Sequence, residues 1–201
     1  MTICGISVVA PDRAVCWADS ALLGRGEVSK LAVNVLAGIV ATGAGHGGLL
    51  SEADQAVHHA VSLEDVLQRL SGRMRRPSIT ACRSAYGVAG FDSGLGRMVA
   101  YVLRSPFFRP EPTTLFTHPA IEAPRPESAL AAVDIALAQL VALREEMPGV
   151  SGGVLSVAEL TPGGVFARVL FDLDAQEFID GPRNRSKGDA ISVPDQVASE
   201  A

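Results

Sequence analysis

The chain is short of cysteine, of aromatic side chains and of clustered positive charge, and each shortage removes a class of protein. Its three cysteines, Cys4, Cys16 and Cys82, have no paired spacing and form no CxxC. That argues against a disulfide framework or a structural zinc site and makes a reducing compartment the expectation. Cys4 and Cys16 sit in apolar, strand-like stretches and read as small buried residues. Lysine and arginine number 17 against 22 acidic residues, a net charge of −5. Neutralising phosphates needs clustered cations, and the clusters here are Arg73, Arg75, Arg76 and Arg183, Arg185, Lys187. Both read as solvated surface, so no nucleic-acid partner is expected. No apolar run approaches the roughly 20 residues that cross a bilayer, and no basic stretch leads into an apolar one at the start. A soluble, cytoplasmic protein with no membrane partner is the expectation. His46, His58, His59 and His118 lack metal-ligand spacing, so no metal or other cofactor is expected.

What is present is an apolar chain, 48% hydrophobic over 201 residues, with enough side-chain volume for one core. Residues 1–180 read as a single domain, and the polar tail over 181–201 reads as disordered. Residues 3–10 and 14–18 are short apolar runs around Pro11-Asp12-Arg13, the pattern of a hairpin. Residues 30–35 and 37–41 form another apolar pair, and the glycines from Gly43 to Gly48 are expected to end the strands. The period then changes: Leu49, Leu50, Ala53, Ala56, Val57 and Ala60 recur at helical spacing. Ser62 can cap a second helix, with Asp65 three residues on. Strands return over 85–90 and 97–103. The proline-rich stretch 106–126 reads as irregular, with one short strand around 114–117. A long helix opens at Pro126-Glu127-Ser128 and ends at Pro148-Gly149. The last two strands, 154–160 and 165–171, flank Thr161-Pro162-Gly163-Gly164. Segregated strand and helix blocks suit an α+β protein with two antiparallel sheets and helices outside them.

Several strings, in this order, resemble the proteasome β subunit and its bacterial HslV-type relative. They are Met1-Thr2-Ile3-Cys4-Gly5-Ile6, Cys16-Trp17-Ala18-Asp19-Ser20, Val28-Ser29-Lys30-Leu31, Ala41-Thr42-Gly43-Ala44-Gly45, Val88-Ala89-Gly90-Phe91-Asp92 with Val99-Ala100-Tyr101-Val102, and Ser151-Gly152-Gly153. The resemblance covers roughly residues 2–175. It implies the four-layer αββα sandwich of N-terminal-nucleophile hydrolases and a threonine-type peptidase or amidase. It also implies a homo-oligomeric ring that, in some relatives, works with an ATP-driven unfoldase, and a peptide or amide substrate.

The same resemblance assigns roles. Once Met1 is removed, Thr2 is the nucleophile, and its own α-amine, with a pKa of about 8, is the base. Lys30, held by Asp19, lowers that pKa and adds a positive field. The Gly43 amide is the oxyanion donor, and Ser151 sits beside the amine as a proton relay. Without the resemblance, Thr2 is an ordinary second residue, Asp19 an exposed turn acid and Lys30 a strand-end surface lysine. The glycines after Thr42 would then be a plain strand-to-helix connection, with no Gly-Lys-Ser/Thr to make a phosphate loop.

The sequence departs from the family in three places. The family's aspartate three residues before the serine of Ser-Gly-Gly is Pro148 here. Its serine-bearing glycine loop corresponds to Thr117-His118-Pro119-Ala120. The segment between Asp19 and Lys30 is shortened, as is the first helix pair. These departures keep two rival readings open: a catalytically inactive scaffold or binding protein, and an enzyme of the same class acting on a small acyl or amide substrate.

Overall fold

The computed structural model describes residues 2–22, 26–27, 30–45, 47–74, 84–122, 124–148, 150 and 152–179. Met1, His46, Arg75, Arg76, Cys82, Ser151 and the tail over 181–201 lie outside those residues.

The first apolar runs form β1 (Cys4–Ala10) and β2 (Arg13–Asp19), paired antiparallel across the Pro11-Asp12 turn. Two short segments follow, β3 (Ala21–Leu22) and β4 (Gly26–Glu27), which pair with each other in a two-stranded sheet. Then come β5 (Leu31–Asn34), β6 (Ile39–Ala44), α1 (Gly47–His58), α2 (Leu63–Met74), β7 (Ala85–Asp92) and β8 (Arg97–Arg104). The chain continues with β9 (Pro110–Thr113), β10 (Leu115–His118), α3 (Ala129–Glu146), β11 (Val154–Thr161), β12 (Gly164–Asp172) and β13 (Glu177–Phe178). One sheet has the order β10-β1-β2-β11-β12-β13, the other β5-β6-β7-β8-β9, and every pairing is antiparallel.

The layers follow from alternation along each strand. In β2, Val15 and Trp17 join α3 in one apolar cluster, while Ala14, Cys16 and Ala18 face the second sheet. That inter-sheet cluster is rich in small side chains, with Ala89 and Ala100 from the second sheet and Ala158 from the first. The other face of the second sheet packs Ala32, Ala41 and Val88 against Ala53, Val57, Val66 and Leu70 of α1 and α2. The result is an α+β arrangement of two antiparallel sheets with helices outside both.

Caps fix the helix starts. Ser62 Oγ accepts from the Asp65 amide at 3.2 Å while Asp65 Oδ2 accepts from the Val61 amide at 3.1 Å. Ser128 Oγ accepts from the Ala131 amide at 3.2 Å, where the capping serine of the long helix was expected.

Two expectations need correction. The strand β6 does not stop at Gly43; it runs to Ala44, because Gly43 and Ala44 pair with Tyr86 and Ala85. The proline-rich stretch holds two strands instead of one. β9 carries Pro110 and Pro112 at the free edge of its sheet, the place where a strand tolerates residues without an N–H. The chain then crosses at Thr114 into the other sheet, where β10 pairs with β1. Among the described residues no helix is long and apolar enough to cross a membrane.

Candidate functional site

The site is built at the end of the sandwich where β1 begins. The Asp19 amide donates to Ile3 O at 2.9 Å, and the Ile3 amide donates to Asp19 Oδ1 at 2.9 Å. The same carboxylate receives Lys30 Nζ at 2.9 Å on Oδ1 and 2.8 Å on Oδ2. Lys30 precedes β5, so this ion pair joins the two sheets, with side chains 0% and 2% exposed. An exposed turn acid and a surface lysine are therefore not what these residues are. Burial pushes the Asp19 carboxyl up to about 6, against the opposing pull of the Lys30 charge and its hydrogen bonds.

Thr2 is itself buried and adjoins the pinned Ile3. Ile3 packs with the α3 cluster, whereas Cys4 and Ile6 face the second sheet, and Thr2 shares the parity of Cys4. Cys4 is also close to the ion pair, but burial and then the Asp19 charge push its thiol up to about 12. It is a protonated core residue, not a reactive thiolate.

Gly43 lies on β6 opposite Tyr86, whose ring covers it so closely that any Cβ there would overlap ring atoms. Glycine at 43 is thus demanded by packing against the Tyr86 ring. Gly45 follows with φ +145°, and a Cβ there would overlap Ser84 Oγ. Between Lys30, Thr42, Gly43 and Tyr86 lies a cavity of about 20 Å³. That is room for roughly one water. The Tyr86 hydroxyl is buried without a hydrogen-bond partner among the described residues, and the Thr42 side chain lies within hydrogen-bonding reach of the Cys4 thiol.

The loop before β11 has its own support. Asp174 accepts from the Gly152 amide on Oδ1 and from the Gly153 amide on Oδ2, both at 2.9 Å, and takes Arg144 Nη2 at 2.8 Å. Arg144 Nε also donates to Val150 O at 3.1 Å. Ser20 Oγ accepts from the Val154 amide at 3.0 Å, tying the residue after Asp19 to β11. Ser151, expected as a proton relay, falls outside the described residues.

His118 is brought to the site by β10, where it pairs in register with Cys4. Burial holds its pKa below the usual imidazole value, with the positive amino terminus as a second, smaller cause. Its carbonyl accepts from Gln139 Nε2 at 2.8 Å. The structure thus brings Thr2, Asp19 and Lys30 to one end of the sandwich, with Gly43 on the wall of the cavity beside Lys30.

Sequence reasoning passed over Gln139, Asp174 and Tyr86, and took His118 only as lacking metal-ligand spacing and as part of the stretch in place of the family's serine-bearing loop. Gln139 carried a signal, being an uncharged polar residue at the helical spacing of Ala132, Ala136 and Leu143 on the buried stripe of α3. The partners of Asp174 and Tyr86 are set by strand pairing, which local sequence does not display. Among the described residues no group of three or more His, Cys, Asp and Glu side chains could hold a metal. No protein-family model matches the chain, and no curated protein sequence matches it.

Proposed function

We propose that this chain is a threonine-type N-terminal-nucleophile amide hydrolase of proteasome β or HslV type. Thr2 attacks after Met1 is removed. The observation that carries the reading is the buried Asp19–Lys30 pair, bonded through Asp19 to the backbone beside Thr2. A carboxylate and an ammonium are expensive to bury and are retained most readily where a fixed positive charge is needed. In the proposed reaction the Thr2 hydroxyl attacks an amide carbonyl and its proton passes to the α-amine. That proton then goes to the leaving amine, and water hydrolyses the resulting ester. Gly43 supplies an oxyanion donor and Ser151 relays the proton. A homo-oligomeric ring and an ATP-driven unfoldase partner belong to the same proposal.

The test combines intact mass with labelling by a peptide epoxyketone. Loss of Met1, an adduct on Thr2 and no adduct on Thr2→Ala are expected. Retained Met1, or processed protein that forms no adduct and is unaffected by Thr2→Ala, would leave the inactive scaffold as the better reading. Light scattering tests the ring, which a clean monomer contradicts.

A further inference from the structure

The two sheets are covered unequally. Among the described residues two helices, α1 and α2, lie on the five-stranded sheet, while α3 alone lies on the six-stranded one. α3 packs on β2 and β11. Its start is held there by the Ala129 amide, which donates to Glu159 Oε1 at 3.3 Å. Beyond β11, Phe166 and Arg168 of β12 pair with Glu159 and Val157. Val157 belongs to the α3 cluster, so Phe166 and Arg168 face the α3 side. Both are exposed, Phe166 at 63%, with the Arg168 guanidinium 5.8 Å over its ring. We propose that this uncovered strip is a two-fold interface with a second copy of the chain, in which the free flank of each α3 lies on the partner's β12.

α3 supplies the other half. From Ala129 to Leu143 only Asp134 and Gln139 are polar, so the helix is apolar nearly all round, which suits a helix covered on both sides. One side is the stripe buried on the sheet; on the other, Leu130 and Val141 are 58% and 59% exposed. They share one flank with Asp134 and Leu137, at successive spacings of four, three and four residues. Arg144 continues that flank and reaches Asp174 just past β12, so the flank turns toward the uncovered strip. The strip is about 27 Å long, from 18 helical residues, and about 20 Å wide, from one helix diameter and two strand spacings. Its projected area is on the order of 500 Å², and side-chain relief raises it toward the ~800 Å² per partner that a stable dimer buries.

Charge selects a second copy as the occupant. The helix flank carries an acid, Asp134, and the strand face carries a base, Arg168. Among the described residues neither has an ion pair. Ala129 and Phe166 are level, since both adjoin Glu159. From there Asp134 is about 7.5 Å along the helix and Arg168 about 7 Å along the strand. A two-fold axis at that level therefore brings each Arg168 to the partner's Asp134 and each Phe166 toward the partner's Leu137. The same contacts form twice, as an isologous interface requires. None of them involves Thr2. The epoxyketone adduct reports on the hydrolase reading and association reports on this interface, so the two can fail separately.

The experiment is sedimentation velocity over a concentration series, with the full-length parent, Arg168→Glu and Asp134→Arg, each variant alone and the two mixed. Both positions are exposed, so the variants keep the fold, which far-UV circular dichroism verifies. The parent is expected as a dimer or an even-numbered multiple. Each variant alone sets like charges against each other across the two-fold axis and should weaken association at least about tenfold. The equimolar mixture should return to within about threefold of the parent, because a mixed pair restores two opposite-charge contacts. No rearrangement within one chain can produce that recovery. Phe166→Ser should weaken association about tenfold through lost apolar contact. Variants that assemble like the parent, or a mixture as weak as its components, would overturn the proposal. A parent that stays monomeric at every concentration would also overturn it, leaving the strip to a different protein or to residues 181–201.

Discussion

Trp17 Nε1 donates to Gln139 Oε1 at 2.9 Å, joining two residues 122 positions apart. The amide nitrogen of Gln139 donates in turn to Cys4 O at 3.0 Å, His118 O at 2.8 Å and Pro119 O at 3.1 Å. One fully buried side chain of α3 thus fixes the start of β1, the indole of β2 and the end of β10. Gln139→Leu keeps the volume and leaves an indole N–H and three carbonyls short of partners. It should cost roughly 2–4 kcal/mol, read as a lowered urea midpoint at unchanged m value. Gln139→Glu should also destabilise, since a carboxylate cannot donate to the carbonyls. A cost below about 1 kcal/mol for the leucine variant would mean that water replaces the amide.

The contrast with neighbouring residues explains what the sequence could disclose. Strands β1, β2, β11 and β12 were legible because turn residues bracket short apolar runs. The three helices were legible because their period and caps are local. β10 was legible as the short strand around 114–117, but β9 was not, since prolines mask a strand unless its edge position is known. At the site, Asp19 and Lys30 were legible only through family resemblance. Their burial depends on β2 and β5 belonging to different sheets, a long-range fact. Asp174 and Tyr86 were hidden for the same reason: one acts on backbone 22 and 21 residues away, the other through the pairing of β7 with β6.

Removing one member of the Asp19–Lys30 pair should cost far more than exchanging both. Lys30→Met leaves a carboxylate buried without its cation and should destabilise by about 3–5 kcal/mol. Asp19→Asn retains an acceptor for the Ile3 amide, so the double variant Asp19→Asn/Lys30→Met should recover a substantial part of that loss. The comparison is a double-mutant cycle from denaturant unfolding. Additive single and double costs would show that the two charges do not interact.

Asp19 also predicts that stability and activity move in opposite directions with pH. Its folded pKa lies near 6, above the ordinary carboxyl value of 3.8. A raised carboxyl pKa means that the folded state binds the extra proton between those values. The stability linked to Asp19 is therefore fully present below pH 3.8 and lost as pH rises through about 6, on the order of 3 kcal/mol. The proposed chemistry needs the ionised pair, so amide hydrolysis should rise through the same pH. His118 works the other way: its depressed pKa means stability lost as pH falls. The Asp19 contribution is accordingly read as parent minus Asp19→Asn across pH 4–7. A difference that is flat with pH would remove the assignment.

Packing around Gly43 separates a steric requirement from a chemical one. Gly43→Ala keeps the backbone N–H that the proposed mechanism uses, but its methyl group meets the Tyr86 ring. The expected cost is about 1–3 kcal/mol of stability, from overpacking between β6 and β7. Tyr86→Phe deletes a buried hydroxyl that has no partner and should be neutral or stabilising by up to about 1 kcal/mol. Tyr86→Leu opens space above Gly43, so Gly43→Ala/Tyr86→Leu should regain part of the stability lost by Gly43→Ala alone. Activity then distinguishes two causes. If hydrolysis returns with stability in the double variant, the glycine is required by the ring above it. If stability returns and hydrolysis does not, the Gly43 backbone must sit where only an unsubstituted residue leaves room for the reacting carbonyl.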